Sequence, residues 1–286
     1  MRDFPGHTVT DTLLRQLEHT PDKRLKQIMT SLVTHLHAFV REVGLTETEW
    51  FQGIKFLTET GQMCDDKRQE FILLSDTLGV SILVDAITHA VPSGATEPTL
   101  LGPFYLEGAP EFPTGANIAE KIRGETTFVS GRVTGLNGAP LAGALLDIWH
   151  AAPNGFYGGQ ASAPEFSLRG KFRTDGDGRY AFRTVKPASY PIPVDGPVGK
   201  MVVALGRQIY RPAHIHFIVS AKGYETLCTH IFVADDPYLE VDPVFAMKSS
   251  LVTEFVRHDA AEEARARGVA APFYTMEYDF ALTPAA

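Results

Sequence analysis

Ten residues, Arg211-Pro-Ala-His-Ile-His-Phe-Ile-Val-Ser220, restrict this chain more than any other stretch. After Pro212 they are apolar and rich in β-branched side chains, and the run is closed by Gly223, which predicts a buried strand over 213–220. Successive side chains on a strand point to opposite faces, so His214 and His216 share a face while Ile215, Phe217 and Val219 share the other. Two imidazoles one pleat apart are either metal ligands or core histidines with satisfied ring nitrogens.

The remaining ligands decide which ion would fit. No Asp or Glu lies between Arg211 and Lys222, and the next acid, Glu225, is too distant for a His-x-His-x3–4-Glu pattern. That disfavours a two-histidine, one-carboxylate Fe(II) site. Two tyrosines precede the strand, Tyr157 in Gly155-Phe-Tyr and Tyr190 in Tyr190-Pro-Ile-Pro. A free phenol ionises near pH 10, so only a strongly Lewis-acidic ion holds it as an anion at neutral pH. Fe(III) is the obvious candidate among hard, oxygen-seeking ions.

Composition excludes several classes. The chain has 286 residues, 44% of them hydrophobic, enough for a full core. Its net charge of −8, from 26 basic and 34 acidic residues, argues against nucleic acid or an anionic membrane surface as a partner. Cys64 and Cys228 stand far apart without a CxxC, and Met-Arg-Asp-Phe-Pro-Gly-His at the start has no apolar signal core, so a cytoplasmic protein is expected. The apolar run 80–84 stops at Asp85, too short to span a bilayer.

Along the chain, residues 1–91 read as helical. Thr20-Pro21 predicts a helix start, and Leu25, Ile28, Leu32, Leu36, Phe39 and Val43 form an amphipathic stripe ended by Gly44. Thr46-Glu-Thr-Glu49 fits a capping box before Trp50, Ile54 and Leu57. A further helix is expected over 68–89. The stripes are either intradomain packing or a dimer seam. Pro and Gly become frequent after Val91, so the boundary is placed near residue 92. Beyond it, short strands are expected over 127–134, 144–149, 168–174, 179–184, 213–220 and 226–233. Asn137-Gly138 and Asp175-Gly-Asp-Gly178 are read as hairpin turns, the latter rather than a calcium loop because its twelfth position is Lys186. A helix within 249–268 and a closing strand over 273–282 complete an α+β chain: a helical N-terminal domain, 1–91, and an all-β sandwich, 92–286.

Several motifs together resemble the intradiol ring-cleavage dioxygenases. They are Trp149-His-Ala, Asn154-Gly-Phe-Tyr157, Leu168-Arg-Gly, Thr174-Asp-Gly-Asp-Gly-Arg-Tyr-Ala-Phe, Tyr190-Pro-Ile-Pro-Val-Asp-Gly-Pro-Val-Gly and Arg211-Pro-Ala-His-Ile-His-Phe. The helical part is similar to the linker domain of the catechol-type branch. The resemblance implies one Fe(III) per subunit, held by Tyr157, Tyr190, His214 and His216 with a solvent hydroxide. It also implies an aromatic diol and O2 as substrates, Tyr190 released on substrate binding, and Arg211 beside the ring. A homodimer through the N-terminal helices follows from it, with a phospholipid in a tunnel at that seam. Where the family often has Gln near the metal, this chain has His230, which is either a group supporting the metal site or a core imidazole.

Segments 71–79, 99–104 and 190–197 are similar to the branch that cleaves hydroxyquinol. That likeness implies a substrate pocket of Leu73, Asp76, Gly102, Pro103, Phe104, Ile192, Pro193, Arg211 and Val244. Asp76 would accept a hydrogen bond from a third ring hydroxyl, if it is not a solvated helix residue. The activity implied is cleavage of hydroxyquinol (benzene-1,2,4-triol) to 3-hydroxy-cis,cis-muconate and its tautomer maleylacetate. Catechol or chlorocatechol cleavage is the alternative, and a transthyretin-like binding module a remote one.

Overall fold

The computed structural model describes residues 6, 8–65, 68–89, 91–159 and 163–285; most of the expected signal-free N-terminal run lies outside them. The chain forms two compact units, Met1–Glu59 and Thr60–Ala286. The first contains α1 (Val9–Leu17), α2 (Lys23–Glu42) and α3 (Glu47–Gln62), the last of which runs on past the division. Helix α2 starts at Asp22, not at Thr20-Pro21: the Asp22 carboxylate accepts the amides of Arg24 and Leu25 at 2.8 and 3.0 Å. An ionised acceptor at the cap outcompetes a threonine hydroxyl for the orphan amides. The capping box forms as expected, the Thr46 amide reaching Glu49 at 2.9 Å and the Glu49 amide reaching the Thr46 hydroxyl at 3.3 Å. The α2 stripe stays open: Leu25, Leu32, Leu36 and Phe39 are all about half-exposed, and only Val33 of that helix is buried.

The second unit begins with α4 (Glu70–Thr77) and α5 (Val80–Thr88). A single helix over 68–89 was the expectation; Gly79 at φ +75° breaks it and turns the axis by 78°. A left-handed residue cannot continue a right-handed helix. Helices α4 and α5 belong to this unit, and the last helix before the strands ends at Thr88. No single helix among the described residues is long and apolar enough to cross a membrane.

The strands are β1 (Thr126–Gly135), β2 (Leu145–His150), β3 (Arg169–Arg173), β4 (Arg179–Val185) and the two-residue β5 (Tyr190–Pro191). After α6 (Pro197–Ala204) come β6 (Tyr210–Arg211), β7 (His214–Ser220), β8 (Leu227–Val233), β9 (Val252–Thr253) and β10 (Val256–His258). Helix α7 (Ala261–Ala266) precedes β11 (Phe273–Glu277) and β12 (Phe280–Leu282). One sheet runs β10-β11-β1-β12 with β4 also on β1, the other β3-β2-β7-β8-β9. Their inner faces meet in one core: Val129 and Val133, Phe172 and Phe182, and Ile215, Phe217 and Val219 are essentially inaccessible to solvent.

Both hairpin expectations fail in the same way. The Asn137-Gly138 turn forms, but β1 pairs with β4, β11 and β12, whereas β2 pairs with β3 and β7. Likewise β3 and β4 flank the Asp175–Gly178 turn yet lie in different sheets. A turn residue reverses the chain; the need to bury two apolar faces against each other chooses the sheet. The helix expected within 249–268 is the six-residue α7, which follows β9 and β10 in that segment, and α6 was not anticipated. The closing strand splits at Tyr278-Asp279, where the Asp279 carboxylate accepts the Arg132 amide at 2.7 Å. Opposite that break stands Gly131, where a Cβ would collide with the Tyr278 carbonyl.

Candidate metal centre and substrate cavity

The site lies on the outer face of the second sheet. With Ile215, Phe217 and Val219 turned into the core, the alternation of β7 sends His214 and His216 outward. His216 is registered between Trp149 on β2 and His230 on β8. The Trp149 indole stacks on its ring at 4.5 Å and 12°. Tyr157 arrives on the loop after Gly155, whose φ is +81°. Tyr190 arrives on β5, whose ladder with β6 sets it opposite Arg211.

Four donor atoms converge. The Tyr157 hydroxyl is 3.1 Å from the Tyr190 hydroxyl, 3.4 Å from His214 Nε2 and 3.1 Å from His216 Nε2, and the two imidazole nitrogens are 3.1 Å apart. A triangle with such edges admits an ion at about 2 Å from every corner, the usual length of a metal–nitrogen or metal–oxygen bond. His214 Nδ1 donates to the Pro212 carbonyl at 2.7 Å, which leaves the lone pair on Nε2 facing the other donors. Burial drives His214, His216 and His230 well below the ordinary imidazole range, so all three are neutral and able to ligate. Burial, and then Tyr190, push the Tyr157 phenol well above 10. A buried cation is what would ionise it. The donor set fits a metal ion on every count.

His230 stands behind these donors, its ring 4.1 Å from that of His216 and 4.8 Å from that of His214. The ligating atoms of the three histidines lie within 4.8 Å of one another. His230 has the backbone of Leu100 beside it, but among the described residues neither ring nitrogen has a hydrogen bond of ordinary geometry.

A small cavity of about 40 Å³ opens beside the donors, and Leu73, Asp76, Gly102, Pro103, Phe104, Ile192, Pro193, Arg211 and Val244 all line it. Tyr190 lines it too, so one donor reaches both spaces. Asp76 is only 7% exposed, which excludes a solvated helix residue. Its pKa is raised, first by burial, against the opposing pull of the Ser81 hydrogen bond and the Arg211 charge. Phe104 stacks on Tyr157 at 4.5 Å, covering the donors.

Three supporting groups escaped the sequence reading. Arg169, only 2% exposed, donates to the carbonyls of Phe104 at 2.7 Å and Gly158 at 3.3 Å, and so ties the loop over the cavity to the loop carrying Tyr157. Glu70 is buried, pairs with Arg68 and accepts the Val198 amide at 3.2 Å, which pins α4 against the start of α6. Asp242 pairs with Arg211. Arg169 sat in a recognised motif, Leu168-Arg-Gly; the partners of Glu70 and Asp242 are too distant in sequence to leave a local signal.

A sandwich with two tyrosines and two histidines converging beside a mostly apolar pocket has the makings of a metal-dependent enzyme. The comparisons agree in detail. The family model described as Dioxygenase matches residues 100–284, and the one described as Catechol dioxygenase N terminus matches 22–96. The chain belongs to the intradiol ring-cleavage dioxygenases. It is 49% identical to a 6-chlorohydroxyquinol 1,2-dioxygenase of Cupriavidus pinatubonensis, over 99% of both chains. It is 50% identical to a hydroxyquinol 1,2-dioxygenase of a Rhizobium species, over 98% of this chain and 96% of that one. A crystal structure of hydroxyquinol 1,2-dioxygenase from Pseudomonas putida superposes with a TM-score of 0.92 at 49% identity, covering 98% and 99% of the two chains. Family membership sets the binding-module alternative aside.

Proposed function

We propose that this enzyme opens hydroxyquinol with O2 between its two adjacent hydroxyl-bearing carbons, giving 3-hydroxy-cis,cis-muconate and, by tautomerisation, maleylacetate. Both oxygen atoms of O2 enter the product, so no external reductant is required. The observation that carries the reading is Asp76, a buried carboxylate in the wall of a mostly apolar cavity. It can accept a hydrogen bond from the third hydroxyl beyond the one from Ser81; catechol leaves that acceptor position unfilled, at a cost of about 1–3 kcal/mol. The names of the relatives at 49–50% identity, acting on hydroxyquinol and its 6-chloro form, support it.

Tyr157, Tyr190, His214 and His216 would hold one Fe(III) per subunit, which when bound supplies the Lewis acidity and electron-accepting character that make the ring reactive toward O2. Tyr190, on the cavity side, is placed to take a proton from a substrate hydroxyl. The Arg211 guanidinium, 3.3 Å from the Tyr190 hydroxyl, stabilises negative charge growing on the ring. Phe104, Pro103, Ile192 and Val244 exclude water, and His230 backs the ligand His216.

Residues 1–91 serve in this reading as linker and dimerisation domain and 92–286 as the catalytic domain. The open α2 stripe supports a homodimer, and the apolar groove of Leu36, Phe39, Val40, Trp50, Ile54 and Leu57 supports a bound phospholipid there. A cytoplasmic location accords with two free cysteines.

The test compares kcat/KM for hydroxyquinol, catechol and 4-chlorocatechol on one iron-loaded preparation, which should be wine-red and bleach on reduction. Hydroxyquinol should lead by about tenfold to a hundredfold, and Asp76→Ala should narrow the gap mainly by losing activity on the triol. A clear lead for catechol or the chlorocatechol would overturn the substrate while leaving the ring-cleavage chemistry standing.

A further inference from the structure

We propose that Asp242 is a positioning residue that sets Arg211 and the cavity wall at Val244 as one unit. The proposal deepens the ring-cleavage reading and rests on it, since Arg211 matters there as the charge beside the ring. Asp242 is the acidic partner of Arg211, and both are buried, at 6% and 5% exposure.

Each carboxylate oxygen serves two donors. Oδ1 accepts Arg211 Nε at 3.2 Å and the Val244 amide at 3.3 Å. Oδ2 accepts Arg211 Nη2 at 3.4 Å and the Ala246 amide at 3.0 Å. The guanidinium is thus held by its Nε–Nη2 edge. Only Nη1 is left to face the donor cluster, 3.3 Å from the Tyr190 hydroxyl and 3.4 Å from His214 Nε2. A planar fork gripped along one edge has little freedom to rotate.

The other half of the same carboxylate shapes the turn 242–246, which places Val244 in the cavity wall. This turn is not relaxed by itself: Phe245 holds φ at +59°, a region costly for a side chain bearing a Cβ. Arg207 braces it from the far side, donating to the carbonyls of Pro243 and Thr77 and stacking on the Phe245 ring. Thr77 ends α4, the helix that carries Asp76. Displacement of the Asp242 carboxylate therefore moves the Arg211 charge and the Val244 wall together. A carboxylate is required for this. An amide offers one acceptor oxygen and would turn an N–H toward Nη2 and the Ala246 amide.

The experiment uses the full-length, iron-loaded enzyme with Asp242→Asn, Arg211→Lys and the double variant. Each single change should lower kcat on hydroxyquinol by about tenfold to a hundredfold with a smaller change in KM, and the double should be no worse than the poorer single, because both break one unit. If the losses multiply, the coupling is overturned. Hydrogen exchange at the Val244 and Ala246 amides supplies a readout independent of turnover. In Arg211→Lys, with Asp242 intact, both amides should exchange about tenfold faster, since the carboxylate has lost its bidentate anchor. A merely structural Asp242 would leave those amides unmoved, and unchanged exchange overturns the proposal even if activity falls. Should Asp242→Asn fail to fold, the Arg211→Lys exchange result decides. Should wild type not cleave hydroxyquinol, the substrate reading fails while the exchange result still judges the coupling.

Discussion

His150 and His216 are buried histidines of the same sheet, each 1% exposed, and they sit on opposite faces of it. On the inner face, His150 spends both ring nitrogens on structure: Nε2 meets the Thr184 hydroxyl of the other sheet at 2.6 Å and Nδ1 the Ala151 carbonyl at 2.8 Å. On the outer face, His216 points Nε2 at Tyr157 and His214 and leaves Nδ1 without a hydrogen-bond partner among the described residues. Burial is the same and the residue type is the same. What separates a core histidine from a ligand is whether its nitrogens are already satisfied or converge with other donors on one point.

Exchanging the loads on the two faces tests this. The largest effect should come from His216→Ala: iron affinity falls by at least about a hundredfold, more than loss of a supporting group outside the ligand set costs, and turnover falls with it. Its metal-free stability should drop less than that of the Phe217 variant, because the lost ring carries one unsatisfied nitrogen. Iron content and chemical denaturation of the apo-protein check both halves. One residue along the same strand, Phe217→Ala should do the reverse. It should cost about 3–5 kcal/mol of stability through cavity formation, while whatever fraction folds keeps its iron.

The pH dependence of His150 is smaller and has a definite sign. Burial lowers its pKa to about 4, below the ordinary 6.5, so the unfolded chain binds a proton there before the folded one does. Its contribution is fully present above pH 6.5 and is lost as pH falls toward 4, at most about 3 kcal/mol over that window. Unfolding free energies of wild type and His150→Gln, taken at pH 7 and pH 4.5, should show a shallower acid loss in the variant. An equal slope would remove His150 as the sensor.

The smallest effect extends the comparison to an apolar surface left about half-exposed by the described residues. Leu32 is 53% exposed, where Phe217 is fully enclosed. If the proposed dimer forms through this stripe, Leu32→Glu should leave the thermal midpoint within a few degrees of wild type and give folded monomers, read by sedimentation. Unfolding instead would make the stripe internal packing.

Some of this was legible from local chemistry alone. Alternation along 213–220 put His214 and His216 on one face, and Gly44 and the Thr46–Glu49 box marked helix ends, because each depends on neighbours within a few residues. The motif resemblance carried further, naming the residues that the fold gathers around one cavity. Other features were decided only in three dimensions. The turns at Asn137-Gly138 and Asp175–Gly178 are local, but which sheet each following strand joins depends on burying Val133 and Phe182 against Phe172 and Phe217. Asp22 displaced the expected cap, and Gly79 divided an apolar run that read as one helix. The register of His216 against His230, the Glu70 anchor and the grip of Asp242 on Arg211 join residues 14, 128 and 31 positions apart. Periodicity reports the face on which a side chain lies. Its partner is chosen by the packing of whole sheets, where burial of distant apolar surface outweighs any local preference.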